Sequence, residues 1–326
     1  MSPMDALVAL RQLTSLDSML RRGGCAPRET VDYPWPALLD LSVVHGIGPL
    51  VAYAMEYRLG GGGAPEEIHD TLLGYYHGTL ADNVYKLIQL KKLLFDVAEV
   101  PVVLLEAAAY ADALYPHVAF RPLPELHLLA RRTDFQKLAL AGEPLEMHLE
   151  GEESGAVVLT DGRTRVLLHD ALLGRSRGVA EEEIFERGIG ARVFGPNVRR
   201  PCIEDAILTH LALIAHGGFI APLIDYVDLR ELVRGSPSQS SVWEKPPDAS
   251  VVKARAQSLS LTRALWCAMQ VLVHFFPEVQ AEAKALSPEL PAAVCAILEA
   301  GVVGPAQKLE RTSVNRAAEE VRKLLV

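Results

Sequence analysis

The stretch from Val100 to Ala130 constrains the fold most, because it changes hydrophobic period twice within a short length. It opens with an apolar run of β type, Pro101-Val102-Val103-Leu104-Leu105. It then passes through Glu106 into an alanine-rich helical segment from Ala107 to Leu114. Tyr115-Pro116 and Phe120-Arg121-Pro122-Leu123-Pro124 break that helix. Glu125-Leu126-His127-Leu128-Leu129 follows, alternating polar and apolar as a strand with one wet face does, so Glu125 and His127 point the same way.

The flanking pattern places this α/β unit between helical regions. An amphipathic helix is expected near Asp5 to Leu20, a second from Trp35-Pro36 to Gly46, and a long one from Pro65-Glu66-Glu67 to about Val97, with Gly74 and Gly78 as weak points. Gly60-Gly61-Gly62-Gly63 is a break and not a phosphate loop, because no strand precedes it and no Gly-Lys-Ser/Thr follows. Thr133-Asp134 should cap a helix through Leu140, and Leu145 to Leu149 should form a third strand. Ala156-Val157-Val158-Leu159 and Arg165-Val166-Leu167-Leu168-His169 flank Asp161-Gly162, a strong hairpin signal. From Glu181 onward nearly everything should be helical, apart from a Ser/Pro-rich linker between Gly235 and Asp248. The expected class is α+β, a small mixed sheet with helices. Residues 1–99 form an N-terminal helical region, 100–190 the α/β domain and 191–326 a C-terminal helical bundle.

Half of the 326 residues are hydrophobic, enough to bury a substantial core. A net charge of -9 argues against sequence-independent binding to nucleic acid, which relies on basic surface. Arg21-Arg22, Arg131-Arg132 and Arg199-Arg200 read as solvated loop ends. Cys25, Cys202, Cys267 and Cys295 show no paired spacing and read as reduced thiols, the last three as buried small hydrophobes. With no signal-peptide pattern at Met1-Ser2-Pro3-Met4-Asp5 and no long apolar run, the expected location is the cytoplasm, without membrane contact.

His127, His148 and His169 fall on expected strands of one sheet, with Glu125 and Glu146 two residues before the first two. Imidazole with carboxylate suits zinc, but such pairs are also ordinary solvent-face residues. His210 and His216 lie on an apolar helix ahead of Asp225 and read as core hydrogen bonding near the Gly217-Gly218 stop. There is no Gly-x-Ser-x-Gly elbow, Gly-x-Gly-x-x-Gly turn or His-Glu-x-x-His helix.

From about residue 40 to 235 the chain resembles the uncharacterised bacterial nucleotidyltransferases of the polymerase-β-like superfamily. That family carries a strand ending in Leu-Lys-Gly, a small-residue helix, an Arg-Pro turn and then Gly-Asp-x-Asp-Leu-Leu-Val. The frame is matched by Val103-Leu104-Leu105, Ala107-Ala108, Leu114-Tyr115-Pro116, Arg121-Pro122-Leu123, Leu126 and Leu128-Leu129. Val43 to Leu50, Thr164 to His169, and Cys202 through Asp225 extend the match on both sides. The resemblance implies a nucleotidyltransferase-like fold, a nucleotide cleft involving Arg121, His169 and His216, and three carboxylates holding two divalent cations.

The chemistry departs from the family at those positions. Glu106-Ala107 stands for Lys-Gly, Pro124-Glu125-Leu126-His127 for Gly-Asp-x-Asp, and Leu167 for the third acid. Magnesium wants several carboxylate oxygens, and a leucine supplies none. The expectation is therefore a degenerate centre at Glu106, Glu125, His127 and Leu167, with Glu125 and His127 as the only metal-ligand candidates. No cofactor is expected, and the protein should act in binding or scaffolding toward a protein partner. The alternatives are an active transferase using magnesium and a nucleoside triphosphate, with Glu106 or Glu146 completing the acidic set, and a purely structural helical interaction module.

Overall fold

A computed structural model describes residues 3–15, 33–58, 64–153, 155–172, 179–235, 242–243 and 245–308. Arg21-Arg22, Cys25, the Gly60 to Gly63 run and most of the Ser/Pro-rich linker lie outside the described residues.

The N-terminal part contributes α1 (Pro3–Leu13), α2 (Trp35–Val44), α3 (Gly48–Arg58) and the 31-residue α4 (Glu66–Asp96). Pro65 stands directly before α4 and Glu66 and Glu67 occupy its first turn, where negative charge meets the positive end of the helix dipole. The central part runs β1 (Val102–Leu105), α5 (Glu106–Tyr110), β2 (Leu126–Leu129), α6 (Phe135–Gly142), β3 (His148–Glu153), β4 (Ala156–Thr160), β5 (Arg165–His169), α7 (Val179–Arg187), β6 (Ile189–Gly190) and β7 (Val198–Arg200). Helices α8 (Ile203–His216), α9 (Leu223–Arg234), α10 (Ala249–Ser258), α11 (Thr262–Phe275), α12 (Gln280–Leu286), α13 (Ala292–Leu298) and α14 (Gly304–Lys308) complete the described chain.

The strands form one mixed sheet in the order β3-β4-β5-β2-β1-β7-β6. Strand β1 is buried throughout and lies between antiparallel β2 and parallel β7. Strand β2 pairs in parallel with β5, setting His127 beside Leu167 and Leu129 beside His169. The β4–β5 hairpin forms at Asp161-Gly162, where Asp161 Oδ1 accepts the backbone N–H of Arg163 and Thr164 and Gly162 takes φ 84. At the outer edge, β3 is exposed along its length and carries Glu150, Glu152 and Glu153, charges that oppose further edge pairing.

Four local expectations are corrected. The helix after Glu106 ends at Tyr110 and not at Leu114, because Arg200 on β7 donates from Nε to the Ala109 carbonyl that a continuing helix would need. Asp134 makes no side-chain cap; Arg132–Asp134 is a 3-10 turn that leads into α6. The third strand starts at His148, since Glu143–Leu145 forms another 3-10 turn and Glu146 takes a left-handed φ of 60. The region after Glu181 is not wholly helical, because β6 and β7 extend the sheet beyond residue 190.

Candidate functional site

A cleft of about 700 Å³ opens between α4, the Arg121–Glu125 turn, the adjoining ends of β1 and β2, and the start of α9. The turn is held from below by α4. Asn83 donates from Nδ2 to the carbonyls of Val118 and Arg121, at 2.6 and 2.8 Å, and accepts the Leu123 N–H at Oδ1. Lys86 donates to the Leu123 carbonyl at 2.7 Å and pairs with Asp82 at the same distance. Sequence reasoning missed this clamp. Its signal is a polar cluster, Asp82, Asn83 and Lys86, on the inward side of a helix whose other inward residues are leucines.

Arg121 lines the cleft, as the nucleotide-site expectation requires, but its guanidinium is occupied. Nε pairs with Asp228 and Nη2 with Asp225, both at 2.7 Å, and Tyr115 donates its hydroxyl to the other Asp228 oxygen. Asp228 is fully buried, and burial pushes its carboxyl above the ordinary value against the pull of Arg121. The facing aspartates hold the Arg121 guanidinium more firmly protonated than usual despite its burial.

Glu106 begins α5 with φ 45, a left-handed conformation that costs a non-glycine residue energy and concentrates at functional sites. Its carboxylate faces His127 Nε2 at 3.6 Å, and Glu125 approaches the same nitrogen at 3.7 Å. Burial pushes Glu106 up to about 7, with Asp225 and Asp228 adding to the shift and His210 and Arg121 opposing it. Glu125 is also tied to Arg165, its neighbour across β5. On its other side His127 Nδ1 meets His169 Nε2 at 2.9 Å, with the rings stacked 5.1 Å apart. Burial lowers both imidazoles, His169 to about 3, so the pair is neutral near pH 7 and shares one N–H between the facing nitrogens.

The sequence-selected residues therefore divide. Glu106, Arg121, Glu125 and His127 line the cleft. Leu167 lies beside His127 in the sheet but is sealed in a small apolar cluster with Ala156 and Val158. His169 sits behind His127 and His216 in the last turn of α8, both outside the cleft lining. His148 is exposed on the far strand and Glu146 in its turn, so neither joins the centre. His210 reads as expected, Nε2 bonding the Asp225 carbonyl at 2.7 Å. Among the described residues, no group of three or more His, Cys, Asp or Glu is arranged to hold a metal ion. No disulfide joins Cys202, Cys267 or Cys295. No helix among the described residues is long and apolar enough to cross a membrane.

The family model described as uncharacterised nucleotidyltransferase matches residues 32–277, three quarters of the chain and the whole of the cleft. The chain belongs to that family of nucleotidyltransferases. No curated protein and no solved structure matches it.

Proposed function

We propose that this member of the family is catalytically degenerate and uses its cleft for binding or scaffolding, in the cytoplasm of a bacterium and toward a protein partner. The observation that carries the reading is the His127–Leu167 pair. Two of the three positions that would supply carboxylates to paired divalent cations hold an imidazole and a buried aliphatic side chain. The electrostatics add to it. The two cations of the lining, Lys86 and Arg121, are already engaged by Asp82, Asp225 and Asp228, so neither is free to meet the charge of an entering triphosphate.

A second reading has one observation in its favour, the approach of Glu106 and Glu125 to a single point at His127 Nε2. It would make those two acids a non-standard cation pair in an active transferase. A thermal-shift screen of nucleoside triphosphates with magnesium, manganese and zinc separates the two, since a ligand that binds only the native state raises the melting temperature by mass action. The degenerate reading expects no magnesium-dependent nucleotide shift. A strong shift, with label transferred from the triphosphate to any acceptor, would establish the active reading instead.

A further inference from the structure

Glu106 is the one acid of the cleft lining that, among the described residues, no lysine or arginine pairs with. Asp82 pairs with Lys86, Asp225 with Arg121, and Glu125 with Arg165 through Oε1. The Glu106 side chain is only 14% exposed, yet its ion-pair contact among the described residues is with His127 alone, at 3.6 Å. That is beyond a hydrogen bond, and burial keeps this imidazole neutral near pH 7. No donor reaches Glu106 from α8 either. His210 there is fully buried and donates from Nε2 to the Asp225 carbonyl, which leaves its Nδ1 a bare acceptor without a partner among the described residues. A largely buried carboxyl with neither donor nor cation is costly and calls for a reason.

The atoms around it are all of one kind. Glu106 Oε2 and Glu125 Oε2 approach His127 Nε2 at 3.6 and 3.7 Å, and in the tautomer that carries the shared proton on Nδ1 this nitrogen is itself an acceptor. With both acids ionised, three acceptors face one another and none can satisfy the next. The complementary group is a primary ammonium, which has three donors and no acceptor, and whose charge would hold Glu106 ionised against the effect of burial. A guanidinium is a planar fork and matches a single carboxylate instead. The cleft also offers a wall for an alkyl stem. Val43 and Val44, at the end of α2, and Tyr75, on α4, line it while 40%, 54% and 41% exposed. Gly74 and Gly78 leave room beside Tyr75, since a Cβ at either would meet nothing within 4 Å. A hydrated metal ion has no use for such a wall.

We propose, on the reading that this cleft binds and does not catalyse, that it seats a primary alkylammonium group, with the ammonium at Glu106, Glu125 and His127 and the stem against Val43, Val44 and Tyr75. A lysine side chain of a protein partner and a free alkylamine share that chemistry.

Calorimetric titration of the full chain with Nα-acetyl-lysine N-methylamide and with 1,5-diaminopentane tests this. At least one should bind saturably. The Nε-trimethyl form of the capped lysine keeps the charge but has no N–H to donate, and should bind at least tenfold more weakly; the Nε-acetyl form should not bind. Glu106→Gln should weaken binding at least tenfold and Tyr75→Ser severalfold. Tighter binding of the capped lysine assigns the ammonium to a protein partner and tighter binding of the diamine assigns it to a free amine, and both uphold the site. Amines that fail to bind, a trimethyl form that binds as well as its parent, or binding indifferent to Glu106→Gln would each overturn the proposal. Zinc that binds where the amines do not would overturn it too, making the same three atoms a metal site. The degenerate reading is decided separately, by the screen of nucleotides with divalent ions.

Discussion

His127 and Leu167 are direct neighbours in the parallel register of β2 and β5, one lining the cleft and the other closed off by Ala156 and Val158. In a sheet, paired residues on adjacent strands project from the same face, yet here one side chain reaches the cleft and the other is packed away from it. Between Glu106 and Glu125 stands an imidazole held from behind by His169. The ion pairs of Arg121 and Arg165 then absorb the charge that a phosphate or a cation would otherwise meet.

The Arg121–Asp228 pair fixes the cleft wall to α9, and its two members should respond unequally to single and joint removal. Asp228→Ala leaves a buried guanidinium with only Asp225 and should cost about 3–5 kcal/mol in urea denaturation. Arg121→Met combined with Asp228→Leu should cost clearly less than Asp228→Ala alone, because no buried charge is left unmatched. Equal losses would show that packing at these positions, and not the charge pair, sets the stability.

Glu106 should make the protein less stable in its ionised form. With a folded-state value of about 7 against an ordinary 4.5, the folded protein binds this proton more tightly than the unfolded chain, so stability falls as pH rises through that window and levels off above it. Glu106→Gln should therefore stabilise the protein by roughly 1–3 kcal/mol above pH 7 and have little effect below 4.5. Urea melts of both proteins across that range check the sign. A variant that gains nothing above 7 would mean that the carboxylate is well solvated.

His169 acts in the opposite sense. Its folded-state value near 3 against an ordinary 6.5 means that the unfolded chain takes up the proton first, so stability is lost as pH falls from 6.5 toward 3. His169→Phe keeps a ring against His127 but cannot titrate, and its stability should fall less steeply over the same interval. An unchanged slope would place the acid sensitivity elsewhere.

What the sequence revealed and what it hid follow from the range of the forces involved. The long helix behind Pro65, the hairpin at Asp161-Gly162 and the alternation of Glu125 and His127 are local signals, and each element stands within a few residues of its expected place. Strand β7 is three residues long and owes its conformation to a ladder with β1, nearly a hundred residues earlier, which no local window contains. The truncation of α5 has the same origin, since Arg200 arrives from that strand to take the Ala109 carbonyl. In the cleft, the residues of the β1–β2 segment were legible because they lie close together in sequence. Asn83, Lys86 and Asp228 were not, because a polar residue on the inner face of a helix shows its purpose only once the turn it grips is folded against it. His169 and His216 match a family pattern, but their positions behind and beyond the lining depend on strand order and helix length.

The central claim is that Glu125, His127 and Leu167 occupy the three carboxylate positions of a lost cation site, and calorimetric titration of magnesium into His127→Asp/Leu167→Asp tests it most directly. Aspartate at position 167 replaces a side chain only 4% exposed, so without metal the variant should be destabilised, and magnesium should recover much of that loss. The account predicts no magnesium heat for the wild type and a saturable one for the variant. Adding Glu106→Lys should then strengthen triphosphate binding while transfer stays low, because acceptor positioning is a separate requirement. A correctly folded variant that binds no magnesium would show that the three positions do not converge on a common ion and would contradict the degenerate-site reading.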